Sequence, residues 1–354
     1  MRMKNRGKLR SERRLLKTRD RGSPLINIGG VRDEKKGNLM RENISLGSII
    51  SAGLLAVFCA FVAPEQAQAQ VRGVYTPGFN ATNSGVLPEP GLTYANTFLD
   101  YSFNQVKGPN GERLNVNGTA SVFVDVNVFL YVSKKKILGA NYAVAAGLPV
   151  SNSAIESVTL GAVAGGGGFS DSFYQPITLG WHFKRADIQA AYAFFAPTGR
   201  FSPGATNNTG TGHWTNAPTA GETIYLTKNK GTAFSAYQMY EFHTNQKGTS
   251  LHPGQTFDLD YSLTQVLPLQ KNMHTLLQVG LIGYGQYQTT DKTGPGVNPT
   301  VAANTHYRVN ALGAAANIIL PVRKVSLGFK YLKEFSNKST VQGYSIQITG
   351  AITF

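Results

Sequence analysis

From residue 92 to the end of the chain, apolar and polar side chains alternate in runs of about ten, separated by clusters rich in Gly, Pro, Asn, Lys and Ser. A period of two is the signature of β-strands with unlike faces. The last run is the clearest: Tyr344, Ile346, Ile348, Ile352 and Phe354 fall on one face, and Ser345, Gln347, Thr349 and Thr353 on the other. Runs at 92–103, 118–132, 137–148, 173–183, 186–196, 222–227, 232–242, 256–267, 274–288, 305–318, 324–334 and 342–354 predict twelve strands in an all-β chain. The fold class expected is a transmembrane antiparallel up-and-down β-barrel; a soluble sandwich or barrel has the same period and is the competing fold.

Loop lengths separate the two. In an outer-membrane barrel one end carries short turns and the other long loops, with both termini on the short-turn side. Twelve strands put 104–117, 149–172, 197–221, 243–255, 289–304 and 335–341 at one end, and 133–136, 184–185, 228–231, 268–273 and 321–323 at the other. Deleting the weak run 222–227 would move the long segment 289–304 to the short-turn side and spoil the pattern.

In four strands, charges share a face opposite an apolar one. Asp125 opposes Val122, Val124, Val126, Val128 and Leu130; Asp258 and Asp260 oppose Phe257, Leu259 and Tyr261. His306 and Arg308 oppose Tyr307, Val309 and Ala311, while Lys324 and Lys330 oppose Val325, Leu327, Phe329 and Tyr331. An Arg or Lys facing the bilayer midplane costs about 2 to 4 kcal/mol, so these seven polar residues are expected in the lumen. There they act either as a selectivity field or as ion pairs that plug the pore. The aromatics Phe123, Phe129 and Tyr131 share the Asp125 face, which predicts a partly greasy inner wall.

Composition fits a barrel. Mean hydropathy is −0.16 and charged residues make up 15% of the chain, below the globular norm of about 25%. Only alternate residues of a barrel strand meet lipid, so low hydropathy is no objection. The net charge of +15 misleads, because residues 1–69 hold 14 Lys+Arg against 6 Asp+Glu and the remainder carries only +7. The basic head has no aromatic interleaving, which argues against a nucleic-acid partner.

The stretch 45–63 is apolar and is followed by Ala67-Gln68-Ala69, an h-region and A-x-A site that predict a signal peptide cut after Ala69. Met40 would give a signal of ordinary length, leaving 1–39 either untranslated or an unusual n-region. The lone cysteine, Cys59, lies inside the h-region, so the exported chain is expected to have no disulfide and no thiolate metal site. The organisation expected is 1–69 as basic extension and signal peptide, 70–91 as an irregular segment able to plug the lumen, and 92–354 as barrel.

Ordered motifs run along the middle of the chain. They are Gly168-Phe169-Ser170-Asp171 leading to Pro176, Gly180-Trp181, Ala196-Pro197-Thr198-Gly199-Arg200-Phe201, Gly210-Thr211-Gly212-His213-Trp214-Thr215, Pro253-Gly254-Gln255, and Gly283-Tyr284 to Asp291. On these residues the chain resembles a bacterial family of outer-membrane transporters linked to the MetA pathway of phenol degradation. The resemblance implies a barrel in the bacterial outer membrane that passes small aromatic or other hydrophobic solutes, and it brings no catalytic residues. Read physically, Pro197-Thr198-Gly199 is a turn at a strand end with Gly supplying positive φ, flanked by Arg200 and Trp214 in an external loop. The glycine run 165–168 is either a flexible loop or backbone folded into the pore mouth.

Catalytic patterns are weak. The histidines, His182, His213, His243, His252, His274 and His306, form no H-E-x-x-H, and there is no G-x-S-x-G elbow. The expectation is a non-enzymatic barrel with no cofactor and no metal, and with outer-membrane lipid, the barrel-assembly machinery and a small hydrophobic or aromatic solute as partners. A sealed barrel with binding loops and an outer-membrane hydrolase are the competing functions.

Overall fold

Alternation becomes sheet throughout. The computed structural model describes residues 72–115, 118–157 and 162–354, so the basic head and the expected signal peptide lie outside the described residues. The strands are β1 (Gly91–Val106), β2 (Gly118–Ile137), β3 (Ala140–Ser157), β4 (Ala162–Phe169), β5 (Ser172–His182), β6 (Ala186–Ala196), β7 (Thr215–Tyr225), β8 (Thr232–His243), β9 (Thr256–Pro268), β10 (Leu276–Gln288), β11 (Arg308–Leu320), β12 (Val325–Lys338) and β13 (Val341–Thr353). One helical turn, α1 (Pro299–Asn304), sits between β10 and β11. All pairings are antiparallel, and β1 pairs with β13 as well as with β2, which closes the sheet.

Thirteen strands make twelve staves. β4 pairs with the Val150–Ser157 half of β3 and β5 with its Asn141–Gly147 half, so β4 and β5 are one stave broken at Ser170 and Asp171. The glycine run 165–168 is therefore paired strand, not loop, and the connection expected at 149–172 is mostly hairpin. The sixth predicted run starts seven residues earlier than expected, at Thr215. Pro218 hid it: proline cannot donate to a ladder, and the β7–β8 pairing skips from Asn216 to Thr219. Long connections gather at one end (107–115, 197–214, 244–255, 289–307) and short ones at the other (138–139, 183–185, 226–231, 269–275, 321–324). Two connections at the long-loop end are short, the four residues 158–161 between β3 and β4 and, between β12 and β13, only Ser339 and Thr340.

Side-chain faces follow from burial. Along β1, Thr93, Thr97 and Leu99 are buried while Leu92 and Phe98 are exposed, and along β12 Lys330, Leu332 and Glu334 are buried while Leu327, Phe329 and Tyr331 are exposed. The outer surface carries large apolar and aromatic side chains all round, including Tyr192, Trp214, Phe234, Leu281, Leu312 and Ile348. Such a belt is stable only against hydrocarbon.

The long loop 197–214 is pinned by one carboxylate. Asp171 Oδ1 accepts from Gly199 N (3.0 Å), and its Oδ2 accepts from the backbone N and hydroxyl of Thr211 (both 2.7 Å). Gly199 has no positive φ, contrary to the turn expected there; its need is space, because a Cβ would lie 2.7 Å from Gly210 Cα. Arg200 donates to Asn207 O from Nε (3.1 Å) and Nη2 (2.6 Å), a staple within the same loop. Trp214 lies outward, with its ring 6.1 Å from that of Phe194. Asp171→Ala should make 197–214 the first site of limited proteolysis in intact membranes while leaving the heat-modifiable barrel band unchanged; equal protease resistance in mutant and wild type would count against the pin.

Candidate functional site

Half of every strand faces inward, and those faces are polar enough to bind backbone. Residues 72–90 thread the lumen from the long-loop end, where Arg72 sits, to the short-turn end, where Leu87 packs on Val132 and Ala143 before β1 begins. The segment has no helix or strand, so its N–H and C=O groups must find partners in the wall. Glu241 takes two of them, from Val74 N (2.7 Å) and Tyr75 N (2.8 Å). Asp260 accepts from the Tyr75 hydroxyl (2.6 Å), Gly78 N (2.8 Å) and Asn80 N (3.0 Å). Lys330 closes the same turn from the other side, donating to the carbonyls of Gly78 (2.8 Å) and Phe79 (2.7 Å). The Tyr307 hydroxyl accepts from Gly73 N at 2.7 Å.

At the long-loop end the segment is held by charge. Arg72 Nη1 reaches Glu334 Oε1 at 2.8 Å, and its Nη2 donates to the Tyr101 hydroxyl (2.9 Å) and Val341 O (2.6 Å). Glu334 also accepts from the hydroxyls of Tyr101 (2.8 Å) and Tyr284 (2.9 Å) and from Gly343 N (2.8 Å). Nearer the short-turn end, Asn83 exchanges hydrogen bonds with Gln278, and Gly85 N donates to Thr223 Oγ1 (3.0 Å). Close approach is paid for in side-chain volume: a Cβ on Gly85 would lie 2.0 Å from Asp187 O, and one on Gly221 2.1 Å from Ser84 O.

The sequence-predicted lumen residues divide. Asp258, Asp260 and Lys330 face inward and are buried, with Asp258 accepting from Gln286 Nε2 at 2.7 Å. Asp125 faces outward with Phe123, Phe129 and Tyr131, and the valines of β2 face in. The aromatic face prevails there because Phe and Tyr suit lipid, and Asp125 is met by the amide of Asn96. The greasy inner wall is thus Val122, Val124, Val126, Val128 and Leu130, all half-buried, and not the aromatics. On β11 the same inversion occurs: Tyr307, Val309 and Ala311 are buried inside and Arg308 is exposed at the rim. His306 lies in the loop before β11, with its Nε2 2.6 Å from Asp291, and Lys324 is an exposed left-handed residue (φ 51°) in a short turn.

Glu241, Glu334, Arg72, Tyr75 and Tyr307 were not singled out in the sequence. Glu241 and Glu334 sit in phase with the inward faces of their strands, which was the available signal. His243 Nε2 stands 3.3 Å from Glu241, and Thr215 Oγ1 lies between His243 Nδ1 (2.8 Å) and His213 Nδ1 (3.3 Å). Burial holds the loop residue His213 below the usual histidine pKa. No three His, Cys, Asp or Glu among the described residues are grouped to hold a metal.

The sequence profile of the family described as MetA-pathway of phenol degradation matches residues 103–349. The chain belongs to that family. A comparison with curated proteins finds no match. Among solved structures the barrel is similar to the COG4313 outer membrane channel from Pseudomonas putida F1, at 15% identity and a TM-score of 0.61, covering 79% of this chain and 100% of the other. It is also similar to the β domain of the Bordetella autotransporter BrkA, at 9% identity and a TM-score of 0.46, covering 75% and 100%. This member of the MetA-pathway family is a closed antiparallel twelve-stave barrel of the bacterial outer membrane, and the long-loop end is the external one by the rule for such barrels.

Glu334→Gln would leave the Arg72 guanidinium without its counter-charge in the lumen. Loss of one partner of a buried pair costs about 3–5 kcal/mol. The urea midpoint of the heat-modifiable band should fall accordingly, and an unchanged midpoint would show that the latch does not stabilise the barrel.

Proposed function

We propose that the barrel is a passive outer-membrane channel for small hydrophobic or aromatic molecules, and that they move along the inner face of β2. The observation that carries this reading is the inversion of that strand. Elsewhere the inward faces mix polar anchors with apolar side chains buried together with residues 72–90, whereas Val122, Val124, Val126, Val128 and Leu130 form an inward apolar file that keeps partial exposure. A solute on this file gains about 25 cal/mol for each Å² of apolar area taken from water, with no directional bond to break on leaving. Weak, repeated binding of that kind is what conduction needs.

Family membership and the likeness to an outer membrane channel support the same reading. Asp258, Asp260 and Lys330 enter it indirectly: Asp260 and Lys330 bond the plug that leaves the β2 wall bare, Asp258 holds Gln286 against it, and all three shape the path instead of touching the permeant. Selection by a wall requires no reacting group, so the reading is of passage and not of catalysis.

In liposomes, the purified protein should speed uptake of uncharged monoaromatic solutes over empty vesicles. Val126→Asp should cut that rate about tenfold, as expected for roughly 1.4 kcal/mol lost at the wall. Arg308→Ala, at the outer rim, should leave it unchanged. Uptake equal to empty liposomes across the panel would favour a sealed barrel, and an equal rate for Val126→Asp would remove β2 from the path.

A further inference from the structure

The outer surface holds a patch that lipid does not suit. Cross-strand register places Lys333, Tyr344, Ser102, Ser121 and Ala154 in one outward row across β12, β13, β1, β2 and β3. They line a cleft of about 450 Å³. Its floor is small, Ser102, Ser121 and Ala154, where the outer belt otherwise carries aromatics. Lys333 stands at one end, with its Nζ 5.5 Å from the Tyr344 ring centroid and no carboxylate partner among the described residues.

Two carboxylates share the patch. Asp100 lies one row below Ser102, opposite Phe123 and Ile346, and Asp125 lies a further row down, opposite Phe98 and Val150. Asp125 Oδ1 accepts from the Asn96 amide; among the described residues its Oδ2 has no donor and the Asn127 amide nitrogen no acceptor. Asp125 is seven residues from the start of β2 and Asp100 six from the end of β1, so both are well inside the strands. Asp100 accepts only from the Ser102 hydroxyl of its own strand among the described residues (3.3 Å), and Glu222, outward on β7, lies nearer an end, three residues from it. Acyl chains provide neither counter-charge nor hydrogen bonds, and ionised groups facing them are costly.

We infer that this face docks a second copy of the chain about a two-fold axis along the membrane normal, with Lys333 of each copy meeting Asp100 of the other. The patch carries its own complement. A cation on β12 and a carboxylate on β1 of one face become two matching pairs when the face meets itself, which is the requirement of an isologous interface. The cleft floored by serines and alanine receives a bulky outward side chain from the other copy. An anionic lipid headgroup would satisfy Lys333 alone and leave Asp100 and Asp125 repelled.

Two differently tagged copies expressed together, treated with a carbodiimide in isolated outer membranes and captured by one tag, test this. The second tag should be co-captured, with a Lys333–Asp100 cross-link identified by mass spectrometry. Lys333→Asp or Asp100→Lys alone should lower co-capture about tenfold, and the double exchange Asp100→Lys with Lys333→Asp should restore it, with heat-modifiable migration confirming that each variant is folded. No co-capture of the wild type, or co-capture insensitive to Lys333→Asp, would overturn the proposal. So would failure of the double exchange to restore it. If Lys333→Asp lowers only co-purifying lipopolysaccharide, Lys333 is a lipid ligand and the dimer is wrong.

Discussion

A sheet bathed in hydrocarbon has no water to satisfy an unpaired edge, so it must close on itself or be covered. Here the closure is β1 on β13, from Thr93 opposite Thr353 to Val106 opposite Val341. Everything else in the structure follows from that ring. Closing twelve staves sets a lumen too wide for wall side chains to fill and too narrow to remain an open aqueous channel. The chain's own irregular segment takes up part of that space.

The plug brings the same constraint inside. Its backbone groups are as unforgiving of missing partners as those of the sheet, and the wall answers with carboxyl, amine and hydroxyl side chains placed one by one: Glu241, Asp260, Lys330 and Tyr307. Asp260 and Lys330 look like a selectivity lining in the sequence, yet in the structure they hold the irregular segment. The side they do not occupy is the aliphatic face of β2.

Much of the architecture was legible because period two and loop parity are local properties. Ala186–Ala196 is read off the sequence to the residue, and the last strand to within one at each end. Facing was less legible. For β9 and β12 the charge and the aromatics fall on opposite faces, so one rule orients both strands. For β2, Asp125 shares its face with Phe123, Phe129 and Tyr131, and two rules conflict; the aromatics decide, at the cost of an outward carboxylate. For β11 the deciding group is the Tyr307 hydroxyl, whose partner Gly73 is 234 residues away. No local pattern contains that information. The plug contacts were illegible for the same reason, since an aperiodic segment advertises no face.

That separation in sequence has a consequence for assembly. Arg72 binds Thr340, Val341 and Glu334, residues 262 to 269 positions away, and these lie on the two strands that form and flank the closing seam and in the turn that joins them. Neither the seam nor the latch can exist until the last strands have been made, and contacts of such long range are slow to form. The segment therefore has to be inside before the ring shuts, because once β1 and β13 are joined the only openings are the two ends. Lumen packing and barrel closure are in this way a single late event, and a chain that closes with its plug outside would be kinetically trapped as an empty ring.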